Sequence, residues 1–100
     1  LLLAAPYAFA QDAPPLQTTG EATKFARTST SAEVVAFCEQ LAKRNPKAKY
    51  GTFGTSGEGK PMPLLVLSDP PVGTPEEAEK SGKPVVIVTA NIHAGEVDGK

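Results

Sequence analysis

One cysteine, one histidine and no tryptophan occur among the 100 residues. The single cysteine, Cys38, excludes an intrachain disulfide and a cluster of thiolate metal ligands. It sits among apolar residues at helical spacing, so we read it as core packing and not as a catalytic thiol. A basic excess is also missing. Ten Lys and Arg face 11 Asp and Glu, for a net charge of −1, and no Lys/Arg run stands out. The electrostatic footprint of a nucleic-acid binder is therefore absent. Nor does any apolar run reach the ~20 residues needed to span a bilayer.

What is present suits a globular chain of at most one domain, with 40% hydrophobic residues and 21% charged residues. Leu1–Ala10 resembles the end of a secretory signal. An apolar run leads to the small-x-small site Ala8-Phe9-Ala10, and polar Gln11-Asp12 follow. The missing basic region fits a truncated start, and an apolar N-terminal strand is the alternative. On the first reading the chain is exported, secreted or periplasmic, and matures near Gln11. Residues 11–28 then form a polar linker or N-terminal extension rich in Pro, Thr and Gly.

Thr30-Ser31-Ala32-Glu33 fits a capping box, in which Thr30 caps a first turn and Glu33 reaches back. Val34, Phe37, Cys38 and Leu41 follow at i, i+3, i+4 and i+7, one apolar stripe of a helix. Lys43 and Arg44 suit its negative end, and Asn45-Pro46 stop it. Tyr50–Thr55 and Met62–Ser68 read as strands of a hairpin, the second of buried type. Thr74-Pro75-Glu76-Glu77 opens a short helix to about Ser81, with Gly82 after it. Val85–Ala90, VVIVTA, is a continuous β-branched run and predicts a central strand covered on both faces. The order helix, hairpin, central strand predicts an α/β fold of three layers with a mixed sheet.

Two stretches invite a chemical reading. In GTSGEGKP, Gly54, Gly59 and Lys60 have the spacing of a phosphate-binding loop, G-x-x-x-x-G-K. Such a loop needs Ser or Thr after the lysine to hold magnesium, and a helix beyond. Pro61 follows instead, then the strand-like MPLLVLS, and Glu58 places a carboxylate where phosphate charge would sit. The glycines are better explained as turn residues. A nucleophile elbow at Ser56 fails as well, because G-x-S-x-G requires glycine where Glu58 stands.

The second stretch is NIHAGEVDGK, residues 91–100. It places His93 at the carboxyl end of the expected central strand, where α/β sheets build ligand sites. Glu96 comes three residues later. If the chain turns helical there, the two side chains share a face, with Cβ atoms about 5–6 Å apart. An imidazole nitrogen and a carboxylate can then share one ion at about 2.0–2.2 Å each, and Gly95 keeps the turn uncrowded. The same spacing also fits a hydrogen-bonded histidine beside a surface glutamate, and the residues alone leave both readings open.

KPVVIVTANIHAGEVDGK resembles the first metal motif of the zinc carboxypeptidase family, an H-x-x-E that follows a central strand. GTSGEGKPMPLLVLS is similar to the hairpin before it in that family, often written G-x-S-x-E-G-R/K. Both motifs stand in the right order over roughly residues 30–100. The resemblance implies that residues 29–100 are the N-terminal part of a larger catalytic domain of three α/β/α layers. It also implies His93 and Glu96 as two ligands of Zn2+, and hydrolysis of a peptide or amide bond near a free carboxylate in a peptide or peptide-like substrate. A second histidine ligand, a glutamate general base, and an arginine and a tyrosine that hold substrate are expected beyond Lys100. With one histidine, this segment is half of such a site.

One position departs from the family pattern. Digestive-type members carry an arginine immediately before the glutamate, where this chain has Gly95. Relatives with H-A-G-E include enzymes acting on unusual peptides and on cell-wall stems, and the superfamily includes deacylases of N-acyl amino acids. A non-catalytic binding module on the same fold is the competing reading, decided by whether a later histidine and glutamate exist. By itself, a chain of residues 1–100 is expected to fold poorly, because its sheet leaves an open edge and an uncovered face.

Overall fold

The computed structural model describes residues 14–100. The signal end read at Leu1–Ala10 lies outside them. In chain order the elements are a one-turn helix α1 (Thr19–Ala22), helix α2 (Ser31–Arg44), strands β1 (Ala48–Thr55) and β2 (Pro61–Leu67), and a short helix α3 (Pro75–Lys80).

The sequence specifies α2 most completely. The Glu33 N–H donates to Thr30 Oγ1 at 3.3 Å, and the Thr30 N–H donates to Glu33 Oε2 at 2.8 Å, so two otherwise orphaned donors are satisfied reciprocally. Arg27 forks onto the same carboxylate at 2.7 and 3.0 Å. The Asn45 N–H closes the last turn on the Leu41 carbonyl at 2.9 Å, and Pro46 prevents continuation. Val34, Phe37, Cys38 and Leu41 are half-buried, and their stripe packs α2 across both strands. The partial burial of Cys38 pushes its thiol pKa up, which suits packing and not reactivity.

The Glu33 network carries a pH signature. The Arg27 guanidinium, then the Thr30 N–H and hydroxyl, hold the Glu33 carboxyl at about 2, down from an ordinary 4.5. A depressed carboxyl contributes stability that is present above the ordinary value and is lost as pH falls through the folded one. Helix content measured by circular dichroism should therefore decline between about pH 4.5 and about pH 2. In Glu33→Gln the content at neutral pH should be lower and this contribution to the decline should disappear.

β1 and β2 pair antiparallel, with the register running from Ala48↔Leu67 to Thr55↔Pro61. The register shifts between Thr52 and Gly54, and the extra residue is Phe53, a bulge whose ring is exposed. Pro63 lies opposite Thr52, beside this bulge, a position where a missing N–H is tolerated. The connection is a tight turn. The Ser56 N–H donates to the Lys60 carbonyl at 2.8 Å, and the Gly59 N–H donates to the Ser56 carbonyl at 2.9 Å. Gly59 has φ +75°, which only glycine adopts without strain. Glu58 and Lys60 pair at 2.6 Å. The hairpin reading of GTSGEGKP holds, and its lysine is spent on its own neighbour.

β2 is less buried than its apolar sequence predicts. Leu64 and Leu67 are exposed, and among the described residues only Ala48 is buried. α3 follows the expected design, with a Thr74 cap, Pro75 in the first turn and Gly82 at φ +66° past its end. Its Glu77 accepts the Gly73 N–H at 2.6 Å and lies 3.9 Å from Lys49 Nζ, tying α3 to β1.

The expected central strand is the main correction. Val85–Ala90 is not part of a sheet, and Val85 to Val88 are 71 to 85% exposed. The segment runs beside β2 across a groove of about 360 Å³. No ladder of backbone hydrogen bonds joins it to either strand of the hairpin. A strand is stabilised by pairing, and β-branched residues by packing on both faces. Neither is supplied within residues 14–100. The described residues thus form helices with one two-stranded antiparallel sheet, compatible with part of an α/β domain. Among them, no helix is long and apolar enough to cross a membrane.

Candidate metal centre

The unpaired segment ends at Asn91, where the chain turns sharply. Asn91 has φ +55°, a left-handed conformation that asparagine accepts more readily than most residues. The next residues close a single turn. The Glu96 N–H donates to the His93 carbonyl at 3.1 Å, and the His93 N–H donates to Glu96 Oε2 at 3.2 Å. The helical turn expected after His93 is therefore a tight turn of another kind, and no helix follows it. It serves the same purpose, since residues i and i+3 of a four-residue turn also come together.

The two side chains converge. His93 Nδ1 and Glu96 Oε1 lie 2.7 Å apart. The hydrogen bond from His93 is the largest cause that lowers the Glu96 pKa, followed by the His93 backbone N–H. An ionised carboxylate can only accept, so in this contact the Nδ1–H of His93 donates to Glu96. The imidazole is 81% exposed and the glutamate side chain 37%, so the pair opens to solvent on one side. Asn91 holds the turn from behind, its Nδ2 donating to the carbonyls of His93 at 3.3 Å and Glu96 at 2.9 Å.

An imidazole nitrogen and a carboxylate oxygen belong to the donor set that zinc takes. Here the two atoms face each other and share one proton, so the pair fits two positions around an ion. A third donor is not at hand: among the described residues, no group of three His, Cys, Asp or Glu could hold a metal ion. Gly95, between the two, is not held there by crowding. A Cβ built on it meets nothing within 4 Å, and its φ is not positive. The turn accepts a side chain at this position, so the expectation that glycine is needed to keep it uncrowded does not hold.

The sequence reading named His93 and Glu96, and the structure brings them together. It missed Asn91. The available signal was an asparagine two residues before the histidine, at the point where an extended run must reverse.

No curated protein and no solved structure gives a match to the chain. A family model described as zinc carboxypeptidase matches residues 34–100, from inside α2 through the His93–Glu96 turn to Lys100. That range takes in the hairpin and the turn in the order in which their motifs are read. The chain belongs to the zinc carboxypeptidase family.

Proposed function

We propose that His93 and Glu96 are two ligands of a catalytic Zn2+ in a metallocarboxypeptidase. The reaction is hydrolysis of a peptide or amide bond near a free carboxylate, in a peptide or peptide-like substrate. The observation that carries this reading is the convergence of His93 Nδ1 and Glu96 Oε1 to 2.7 Å, in a chain whose family match includes both residues.

The chain's own groups have defined tasks. Glu96, whose pKa the hydrogen bonds from His93 lower from the ordinary value, offers a carboxylate to a cation. His93 must release the Nδ1 proton that it now donates to Glu96 before that nitrogen can act as a ligand. The turn between Asn91 and Glu96 fixes the spacing of the two donors. Zinc, when bound, supplies a Lewis acid toward the scissile carbonyl and lowers the pKa of a coordinated water. The third ligand, the general base and the groups that grip the substrate carboxylate belong to parts of the domain outside the described residues. In the same reading the whole domain has three α/β/α layers with a mixed sheet. Leu1–Ala10 directs export to a secreted or periplasmic location, checked by whether the mature protein begins near Gln11.

The whole protein should release the C-terminal residue of a peptide with a free carboxylate and spare the same peptide amidated. Chelation should stop the reaction and zinc should restore it. Cleavage indifferent to chelator, or equal on both peptides, contradicts the reading. Gly95 favours a second reading within the same chemistry, a zinc-dependent deacylase or amidase. The position where an arginine stands in digestive-type members carries no side chain here, and open space surrounds it. Faster hydrolysis of N-acyl amino acids than of peptides would select it.

A further inference from the structure

We propose that Asn91 is a positioning residue of the metal centre, setting the separation of the two donors through their backbones. The inference rests on the reading of His93 and Glu96 as ligands. Asn91 does not touch either donor atom. Its amide instead bridges the carbonyl oxygens of the two residues that carry them, at 3.3 Å to His93 and 2.9 Å to Glu96. Both partners are acceptors only, so the amide nitrogen, and not its oxygen, must face them.

Two features make this bridge more than a local turn bond. The backbone of Asn91 lies at φ +55°, which aims its side chain back over the turn that follows. The Asn91 side chain is half-buried, while the imidazole it helps to place is exposed. Little else restrains that turn. Among the described residues, its only other polar restraints are its own Glu96–His93 contacts and the Lys100 ammonium, which donates to the Ala94 carbonyl at 3.3 Å. A turn held from outside loses less freedom when its two donors take up an ion, and outer groups of this kind affect metal affinity measurably.

Asn91→Gly removes the amide and keeps the positive φ without strain, while adding backbone freedom at that one residue. In the whole protein, zinc affinity is measured by competition with a chromophoric chelator, and exchange of the Glu96 amide proton is measured without metal. The expected result is zinc affinity about 10- to 100-fold weaker, faster Glu96 exchange, and unchanged backbone signals over β1 and β2. Asn91→Ala, which adds backbone strain, should be at least as weak. Zinc affinity of Asn91→Gly equal to that of the native protein overturns the proposal. His93→Ala serves as the parallel control. If it still binds zinc at native affinity, the ligand reading fails and takes this inference with it, a result distinct from failure at Asn91 alone.

Discussion

Replacing either His93 or Glu96 with alanine should reduce metal-dependent hydrolysis to the level of the chelated protein. In the proposed site each side chain supplies one donor, and the two donor atoms, Nδ1 and Oε1, lie 2.7 Å apart. A catalytic zinc site has three protein ligands and one open position, so loss of one ligand removes a third of its protein coordination. Neither substitution should unfold the chain. Both residues are solvent-accessible, and the imidazole is 81% exposed with little packing to lose. Glu96→Gln sharpens the test. It keeps size and hydrogen bonding but removes the carboxylate charge, so it should weaken zinc binding and leave the turn intact. If His93 and Glu96 were only a surface hydrogen-bonded pair, all three variants would keep native activity. The measurement is the rate of C-terminal residue release, with zinc and with chelator.

The 100-residue chain by itself should show no cooperative thermal transition. Fully burying one Val, Leu, Ile or Phe side chain contributes about 1.5–3 kcal/mol, and ordering a residue's backbone costs about 1–2 kcal/mol. Residues 14–100 contain one buried residue, Ala48, whereas Val85, Val86, Ile87, Val88, Ile92 and Val97 are exposed. Among the described residues, α2, with its half-buried stripe, is the one helix that packs extensively on the hairpin. Such a chain should lose its circular dichroism signal gradually on heating and should bind a hydrophobic dye before heating. A sharp sigmoidal transition with a defined midpoint, and no dye binding, contradicts the expectation.

The parts of the fold that sequence reading recovered are those fixed by neighbours along the chain. Thr30 and Glu33 specify the start of α2 because both partners of the capping box lie within one turn. Thr74-Pro75 and Gly82 bracket α3 for the same reason. The hairpin followed from two β-favouring runs around a glycine turn. α1 carries the same signature, with Thr18 and Glu21 forming a full capping box. Its short, polar and Gly-containing turn gave no apolar period to notice. What failed depends on distant partners. VVIVTA states that both of its faces favour burial, but it does not state what covers them, and within residues 14–100 nothing does. Likewise the apolar letters of β2 could not reveal that Leu64 and Leu67 stay exposed.

The site divides along the same line. His93 and Glu96 were legible because their spacing brings i and i+3 together in a helical turn and in a tight turn alike. The kind of turn was not legible. It depends on the left-handed backbone of Asn91 and on the amide that spans two carbonyls, and neither feature leaves a periodic trace. A third donor for the proposed site could not be read from these residues at all. The chain contains a single histidine, and its described residues gather no third donor.

His93 is the only histidine in the chain, so its ring signals are free of overlap from any other imidazole in these 100 residues. Nitrogen-15 spectra of histidine-labelled whole protein, with the His93 signals assigned by their loss in His93→Ala and followed as zinc is added, test directly whether this pair binds the ion. If His93 and Glu96 hold zinc, the Nδ1 resonance should lose its proton coupling and move to a metal-bound position at one equivalent. In Glu96→Ala that change should need far more zinc. Binding of one zinc per protein with the Nδ1–H signal unmoved would contradict the account.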